Sequence, residues 1–119
     1  MFAKFVAAGA ALLIGTVAAL ADPVGRYSVR GHNPGNESST YSGSVSVTRT
    51  GDTYRVTWDI GSQTFVGTGI GSRDFLAVSY RSGSQTGLAL YAQQSDGSWI
   101  GVWTYADGRT IGGERWSPR

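Results

Sequence analysis

The sequence predicts an all-β protein, most simply a small eight-stranded antiparallel up-and-down barrel. Glycine supplies 18 of the 119 residues, and no window beyond residue 22 keeps apolar residues at helical spacing. Short β-rich runs recur instead, separated by turn clusters at intervals of roughly 8–12 residues, which is typical of a sandwich or a barrel. A β-sandwich of two four-stranded sheets is the alternative.

The first 21 residues are set apart from this pattern. Lys4 supplies a positive charge, residues 5–20 are apolar or small, and Ala19-Leu20-Ala21 matches the small-x-small pattern that precedes signal-peptide cleavage. A transmembrane anchor is less favoured, because the apolar run is at or below the ~17–25 residues that span a bilayer. We therefore expect a signal peptide over residues 1–21 and one β-barrel domain over residues 22–119. The processed protein would be periplasmic or secreted, with no membrane span.

Eight β-rich runs can be read in the remaining chain. All connections except the first, residues 31–36, are tight enough to join antiparallel neighbours. A meander of eight strands can close on itself and so remove exposed sheet edges. The predicted strands are residues 27–30, 41–48, 53–60, 64–70, 75–80, 86–93, 99–105 and 110–116.

Alternation along the strands assigns side chains to the two faces of the sheet. In the third strand Tyr54 and Trp58 share one face, and Arg55 lies on the other. Several glycines fall inside strands, where they favour bends and close packing of bulky neighbours. An eight-stranded barrel is either filled by side chains or holds one small ligand. In the seventh strand both faces are partly apolar, because Ile100 and Val102 oppose the aromatic residues, so we expect a partner to cover its outer face.

Composition excludes several kinds of chemistry. The sequence contains no cysteine and a single histidine, His32, which lies in a Gly/Asn/Pro loop without an evident orienting partner. Most acidic residues sit in or beside predicted turns, where they cap the backbone, and no calcium-loop pattern occurs. The formal net charge is only +2. We therefore expect no enzyme, no cofactor, no metal and no nucleic-acid partner; a hydrolase based on paired carboxylates is a less favoured reading.

Aromatic side chains are the main candidates for binding. The sequence has four Trp and six Tyr, and aromatic rings either fill a small core or stack on a ligand at a barrel mouth. We expect most of these rings to lie in the core, and Trp99, Trp103 and Trp116 are the candidates for any that are exposed. The full set of candidate ligand- or partner-binding residues is Trp99, Trp103, Trp116, Tyr105, Trp58, Arg55 and Glu114.

Glu114 is the one acidic residue whose position suggests an apolar environment. It shares a strand face with Gly112 and Trp116. If it points inward, it needs an arginine or several hydrogen-bond donors, because an unpaired buried charge is very costly; Arg55 or Arg30 could supply the charge. If it points outward, it is a solvated residue among neighbouring arginines.

Four stretches of the chain resemble a group of short exported bacterial proteins, some of which carry the label fibronectin-binding protein. These stretches are residues 27–35, 41–45, 51–58 and 96–104, and the resemblance extends over nearly all of residues 27–116. It implies an adhesion or matrix-binding role in the cell envelope and assigns no site residue.

The predicted architecture is also similar to that of the calycins, the lipocalin and avidin-like barrels. Lipocalins place Gly-x-Trp in the first strand and a basic residue in the last strand that packs over the tryptophan. Here Gly25-Arg26-Tyr27 and Arg115 occupy comparable places, with Tyr instead of Trp. Together these patterns predict a non-enzymatic exported protein whose barrel mouth or aromatic face engages a small apolar ligand or an extracellular or envelope protein.

Overall fold

The computed structural model describes residues 21–119, which form one closed antiparallel barrel with its eight strands in sequence order. The predicted barrel is therefore confirmed, and the sandwich alternative is wrong. The predicted signal peptide lies, apart from Ala21, outside the described residues. The strands are β1 (Gly25–Asn33), β2 (Asn36–Thr50), β3 (Thr53–Ile60), β4 (Gln63–Gly71), β5 (Phe75–Ser82), β6 (Gln85–Gln93), β7 (Trp99–Tyr105) and β8 (Gly112–Pro118).

A helix of the length and apolarity required to cross a bilayer does not occur within residues 21–119.

Glycine-led turns set the register of the hairpins. Gly61 and Gly83 have φ of 63° and 61° and begin two-residue loops between the paired residues Ile60–Gln63 and Ser82–Gln85. A left-handed glycine at the first loop position is the signature of a type II′ turn, whose twist matches that of the strands it joins. Each strand pairs with its neighbour in the chain, and pairing of β1 with β8 closes the ring.

The first hairpin is longer than predicted. The segment expected to be a loop is instead paired, with His32 opposite Thr40 and a register shift between His32 and Asn33. The chain reverses direction at Pro34 and Gly35 only. The φ of 74° at Gly35 suits the third position of a type II turn, where it follows a proline. The hairpin therefore extends the wall of the barrel at this end.

Inward side chains fill one end of the barrel. Large residues there are almost fully buried, including Trp99 at 1% and Trp116 at 0% exposure. Pro23 is also buried, and its carbonyl oxygen accepts a hydrogen bond of 2.7 Å from the Tyr27 hydroxyl. The segment before β1 thus covers this end, which we call the closed end. The core consists of Tyr27, Val29, Val45, Val47, Tyr54, Val56, Trp58, Leu76, Val78, Tyr80, Ala89, Tyr91, Trp99 and Trp116.

The opposite end, called here the open end, is where odd-numbered strands finish and even-numbered strands begin. Residues Asn33, Ile60 and Gln63 lie at this end beside the hairpin turns, and none of the three is buried. Inward residues late in an odd strand or early in an even strand therefore surround the barrel mouth.

Candidate functional site

A cavity of about 170 Å³ lies inside the barrel at the open end. Most of its wall is aromatic, and its outer rim includes the amides of Asn33 and Gln63. Glycines on the inner face make room for the large rings: a Cβ at Gly67 would lie 3.2 Å from the Trp58 ring. The lining residues are Asn33, Tyr41, Trp58, Ile60, Gln63, Phe65, Tyr80, Ala89, Tyr91, Trp103 and Glu114.

Glu114 lies in the wall of this cavity and accepts four hydrogen bonds, all from neutral side chains. The Tyr41 hydroxyl donates to Oε1 at 2.6 Å. Trp58 Nε1, the Tyr91 hydroxyl and Trp116 Nε1 donate to Oε2 at 2.9, 2.6 and 2.7 Å. Glu114 is only 8% exposed. Because indole N–H groups donate and cannot accept, both carboxyl oxygens act as acceptors in this arrangement.

The donors come from four different strands: β2, β3, β6 and β8. The carboxylate therefore links parts of the wall that are far apart in sequence. Their rings also contact one another, with Tyr91 and Trp116 centroids 4.3 Å apart and Trp58 and Trp116 centroids 6.1 Å apart. Such packing limits the freedom of the donor side chains, so Glu114 is held in one position.

The pKa values of the tyrosines reflect this environment. Burial raises the pKa of Tyr91 well above its usual value of 10.0, and the adjacent Glu114 charge raises it further. The same two causes, in the same order, raise the pKa of Tyr41. Burial raises the pKa of Tyr80 to about 12, with smaller contributions from Tyr105 and Glu114. These hydroxyls therefore remain protonated donors through the physiological range of pH.

Trp103 lies at the mouth of the cavity. Its ring makes edge contacts with Tyr41 and Tyr80 at centroid distances of 6.0 and 6.2 Å. Its Nε1 atom is buried and has no hydrogen-bond acceptor among the described residues. Trp103 is therefore a wall residue that also carries an unused donor.

Three of the sequence-predicted site residues meet at this cavity: Trp58, Trp103 and Glu114. Glu114 points inward, which was one of the two predicted orientations, and of its two possible kinds of partner it has several hydrogen-bond donors rather than an arginine. Arg55 and Arg30 are both exposed, on the outer face of the barrel wall. Strand alternation explains this, since each neighbours an inward residue; tyrosine and tryptophan donors satisfy the carboxylate instead.

Trp99 and Trp116 are wrong as candidates for exposure. Both are buried, because they point inward near the closed end and fill the barrel interior there. Tyr105 is 37% exposed and packs edge-on against Trp103 at 5.3 Å, but it does not line the cavity. Of the three tryptophans named as candidates for exposure, only Trp103 lines the cavity.

Most of the cavity wall was not identified from the sequence. The remaining lining residues are Asn33, Tyr41, Ile60, Gln63, Phe65, Tyr80, Ala89 and Tyr91. A usable signal was present: in the predicted strands, Tyr41 and Phe65 lie at or next to the start of even-numbered strands and Tyr80 ends an odd-numbered one. A meander brings such positions to one end of the barrel.

The outer wall has an apolar face over β4–β7. Ile70, Ala77, Leu90 and Val102 are successive paired residues on these strands, and Ile70, Leu90 and Val102 are 60%, 52% and 42% exposed. Leu88 and Ile100 extend it, with exposures of 60% and 43%. The apolar outer face of β7 expected from the sequence is thus present and continues across three more strands.

Arginines concentrate on the other side of the outer wall. Arg30 and Arg115 are paired residues of β1 and β8, and Arg119 Nε donates to Ser28 Oγ at 3.3 Å. Arg115 also bonds Asp96 at 3.2 Å. Arg115 therefore does not cover Tyr27 as the basic residue of a lipocalin would; Trp116 does, at a centroid distance of 5.4 Å.

Neither a scan against protein-family models nor a search of curated proteins finds a match for this chain. The fold and the site together describe a closed eight-stranded meander barrel with a ligand-sized aromatic cavity at one end.

Proposed function

We propose that this chain is an exported, non-enzymatic binding protein that holds one small organic molecule in the cavity at the open end. The observation that carries this proposal is the combination of an open aromatic cavity with a polar group fixed in its wall. Ligand sites are typically concave and mostly apolar, with a few convergent polar groups that orient the ligand. The cavity fits this description, with Glu114, Asn33 and Gln63 as its polar groups.

The cavity volume limits the size of the ligand. A dry apolar cavity of about 150 Å³ is known to accept benzene, and this cavity is about 170 Å³. A molecule with a single ring, or a branched aliphatic group of similar size, is therefore the expected ligand. A larger molecule would have to extend through the mouth beyond Gln63.

The side chains that line the cavity are suited to binding rather than to bond cleavage. Glu114 is the one carboxylate among the described lining residues, and these include no histidine, serine or threonine. Glycoside hydrolysis by the common mechanisms needs a second carboxyl group about 5–10 Å away, across the scissile bond. The groups present can instead surround a ring and orient a polar substituent.

Titration with single-ring molecules tests this proposal. Trp58 and Trp103 line the cavity, so binding should change the intrinsic tryptophan fluorescence and raise the melting temperature. Ala89→Leu places a larger side chain in the cavity wall and should abolish binding. Ala92→Leu makes the same substitution on the exposed face of the same strand and should leave binding unchanged. Equal binding by both variants, or none by the wild type at millimolar concentration, would refute the proposal.

The apolar outer face supports a second candidate function, the binding of a protein of the cell envelope or extracellular matrix. Soluble monomers rarely expose large contiguous apolar patches unless these serve an interaction, and this face spans four strands. Leu90→Glu should abolish capture of such a partner without affecting the cavity, whereas Ala89→Leu should do the reverse. Capture of matrix or envelope proteins that survives Leu90→Glu would exclude this face as the contact.

A further inference from the structure

We propose that the ligand is a small organic ammonium ion, with its hydrocarbon part among the aromatic rings and its charged nitrogen against Glu114. This inference rests on the proposed ligand-binding function of the cavity and adds the chemical class of the ligand. It follows from the sign of the charge, the free acceptor position and the aromatic wall of the cavity.

The only charged side chain among the described residues that line the cavity is Glu114. The ion pairs found within residues 21–119 are Arg49–Asp22 and Arg115–Asp96, and neither involves it. Four neutral donors stabilise the carboxylate locally, but they supply no positive charge, and its formal negative charge lies on a residue that is only 8% exposed. A bound cation would neutralise that charge, whereas an anion would add a like charge at short range and pay its own desolvation.

The hydrogen bonds of Glu114 are unevenly divided between its two oxygens. Oε2 accepts three, and Oε1 accepts one, from Tyr41. Each carboxylate oxygen has about two lone-pair sites, so the three donors on Oε2 share its two sites, whereas Oε1 has one donor and a second site without a donor among the described residues. An ammonium N–H can fill it with a charge-assisted bond, which is stronger than a bond from a neutral donor.

Aromatic rings make up most of the cavity wall that Glu114 shares. Trp58 and Phe65 each meet Tyr80 edge-on at 6.0 Å, and Tyr41 meets Trp103 in the same way. The face of an aromatic ring attracts cations through its quadrupole, and aromatic cages select ammonium groups for this reason.

Three ligands with the same ring separate the contributions. Benzylamine, benzyl alcohol and benzoate are respectively cationic, neutral and anionic at neutral pH. We expect benzylamine to bind at least about tenfold more tightly than benzyl alcohol, which corresponds to one strong charged contact, and benzoate not to bind at millimolar concentration. Tryptophan fluorescence and melting temperature report all three with the wild-type protein.

The outcomes distinguish the two proposals. If benzyl alcohol or benzoate binds as tightly as benzylamine, the cavity binds ligands but the cationic class is wrong. If none of the three binds, the proposed function itself fails. If only benzylamine binds, or it binds about tenfold more tightly, the inference is supported.

A second experiment replaces the Glu114 carboxylate by a neutral side chain of the same shape. Glu114→Gln should reduce the preference for benzylamine over benzyl alcohol to less than about threefold, while benzyl alcohol still reports an intact cavity. Glu37→Gln makes the same change in an exposed residue and controls for net charge; it should keep the preference. A preference that survives Glu114→Gln would overturn the assignment of the charge to Glu114.

Discussion

Trp116 and Glu114 lie two residues apart on the inner face of β8, and the indole Nε1 of Trp116 donates to Glu114 Oε2 at 2.7 Å. Inward residues at this spacing are neighbours on one strand face, so the strand itself supplies one of the carboxylate's donors. The Trp116 ring then contacts Tyr27, Trp58 and Tyr91. The filled closed end and the cavity are thereby joined through one side chain.

Replacing tryptophan by phenylalanine should have unequal effects at two positions. Trp116→Phe removes a donor to a buried carboxylate and should cost about 2–4 kcal/mol in free energy of unfolding, from the lost bond and the smaller ring. Trp103→Phe removes a buried donor that has no acceptor among the described residues, so it should cost about 1 kcal/mol or less. Urea unfolding followed by circular dichroism measures both. Equal losses would contradict the hydrogen-bond assignment.

Removing the Glu114 carboxylate should lower the free energy of unfolding more than neutralising it does. Glu114→Leu leaves four donors without their acceptor and should cost about 3 kcal/mol or more. Glu114→Gln can keep an oxygen in the place of Oε2, while the Tyr41 hydroxyl turns to accept from the amide, so we expect a loss of about 1–2 kcal/mol. Chemical denaturation of the two variants makes the comparison. A Leu variant as stable as the Gln variant would mean that the donors have found other partners.

The backbone of this protein was easier to predict than its site. Alternation and glycine turns are local, and they predicted eight strands with most boundaries within a few residues. The partners of Glu114 are not local: Tyr41, Trp58 and Tyr91 are 73, 56 and 23 residues away, and only ring closure brings them together. From the sequence, either an arginine or several neutral donors could satisfy Glu114, and no local pattern distinguishes the two alternatives.

Two adjacent glycines of β8 offer a matched test of packing. A Cβ at Gly112 would collide with the His32 carbonyl oxygen and lie 2.7 Å from Trp103 Nε1, whereas a Cβ at Gly113 would meet only the movable His32 ring. Gly112→Ala should therefore cost about 1–3 kcal/mol by overpacking and push Trp103 into the cavity, weakening ligand binding. Gly113→Ala should change stability by less than about 0.5 kcal/mol. Thermal unfolding and ligand titration of the pair check this; similar losses would mean that the inner face is not tightly packed.

Alkaline pH should destabilise the protein through its buried tyrosines. The folded-state pKa of Tyr91 lies well above the value of 10.0 expected in the unfolded chain, so above pH 10 the unfolded chain loses a proton that the folded protein keeps. The contribution of Tyr91 to stability is complete below pH 10 and falls as the pH rises, by about 1.4 kcal/mol per pH unit. Tyr41 and Tyr80 act in the same direction, and the contribution of Tyr80 levels off near pH 12, since its pKa is raised to about 12.

Urea unfolding at successive pH values, with tyrosinate absorbance recorded in parallel, should show fewer tyrosines ionised in the folded protein than in the unfolded one. Tyr91→Phe should flatten the dependence, and an equally steep fall in that variant would show that Tyr91 is not among the groups responsible.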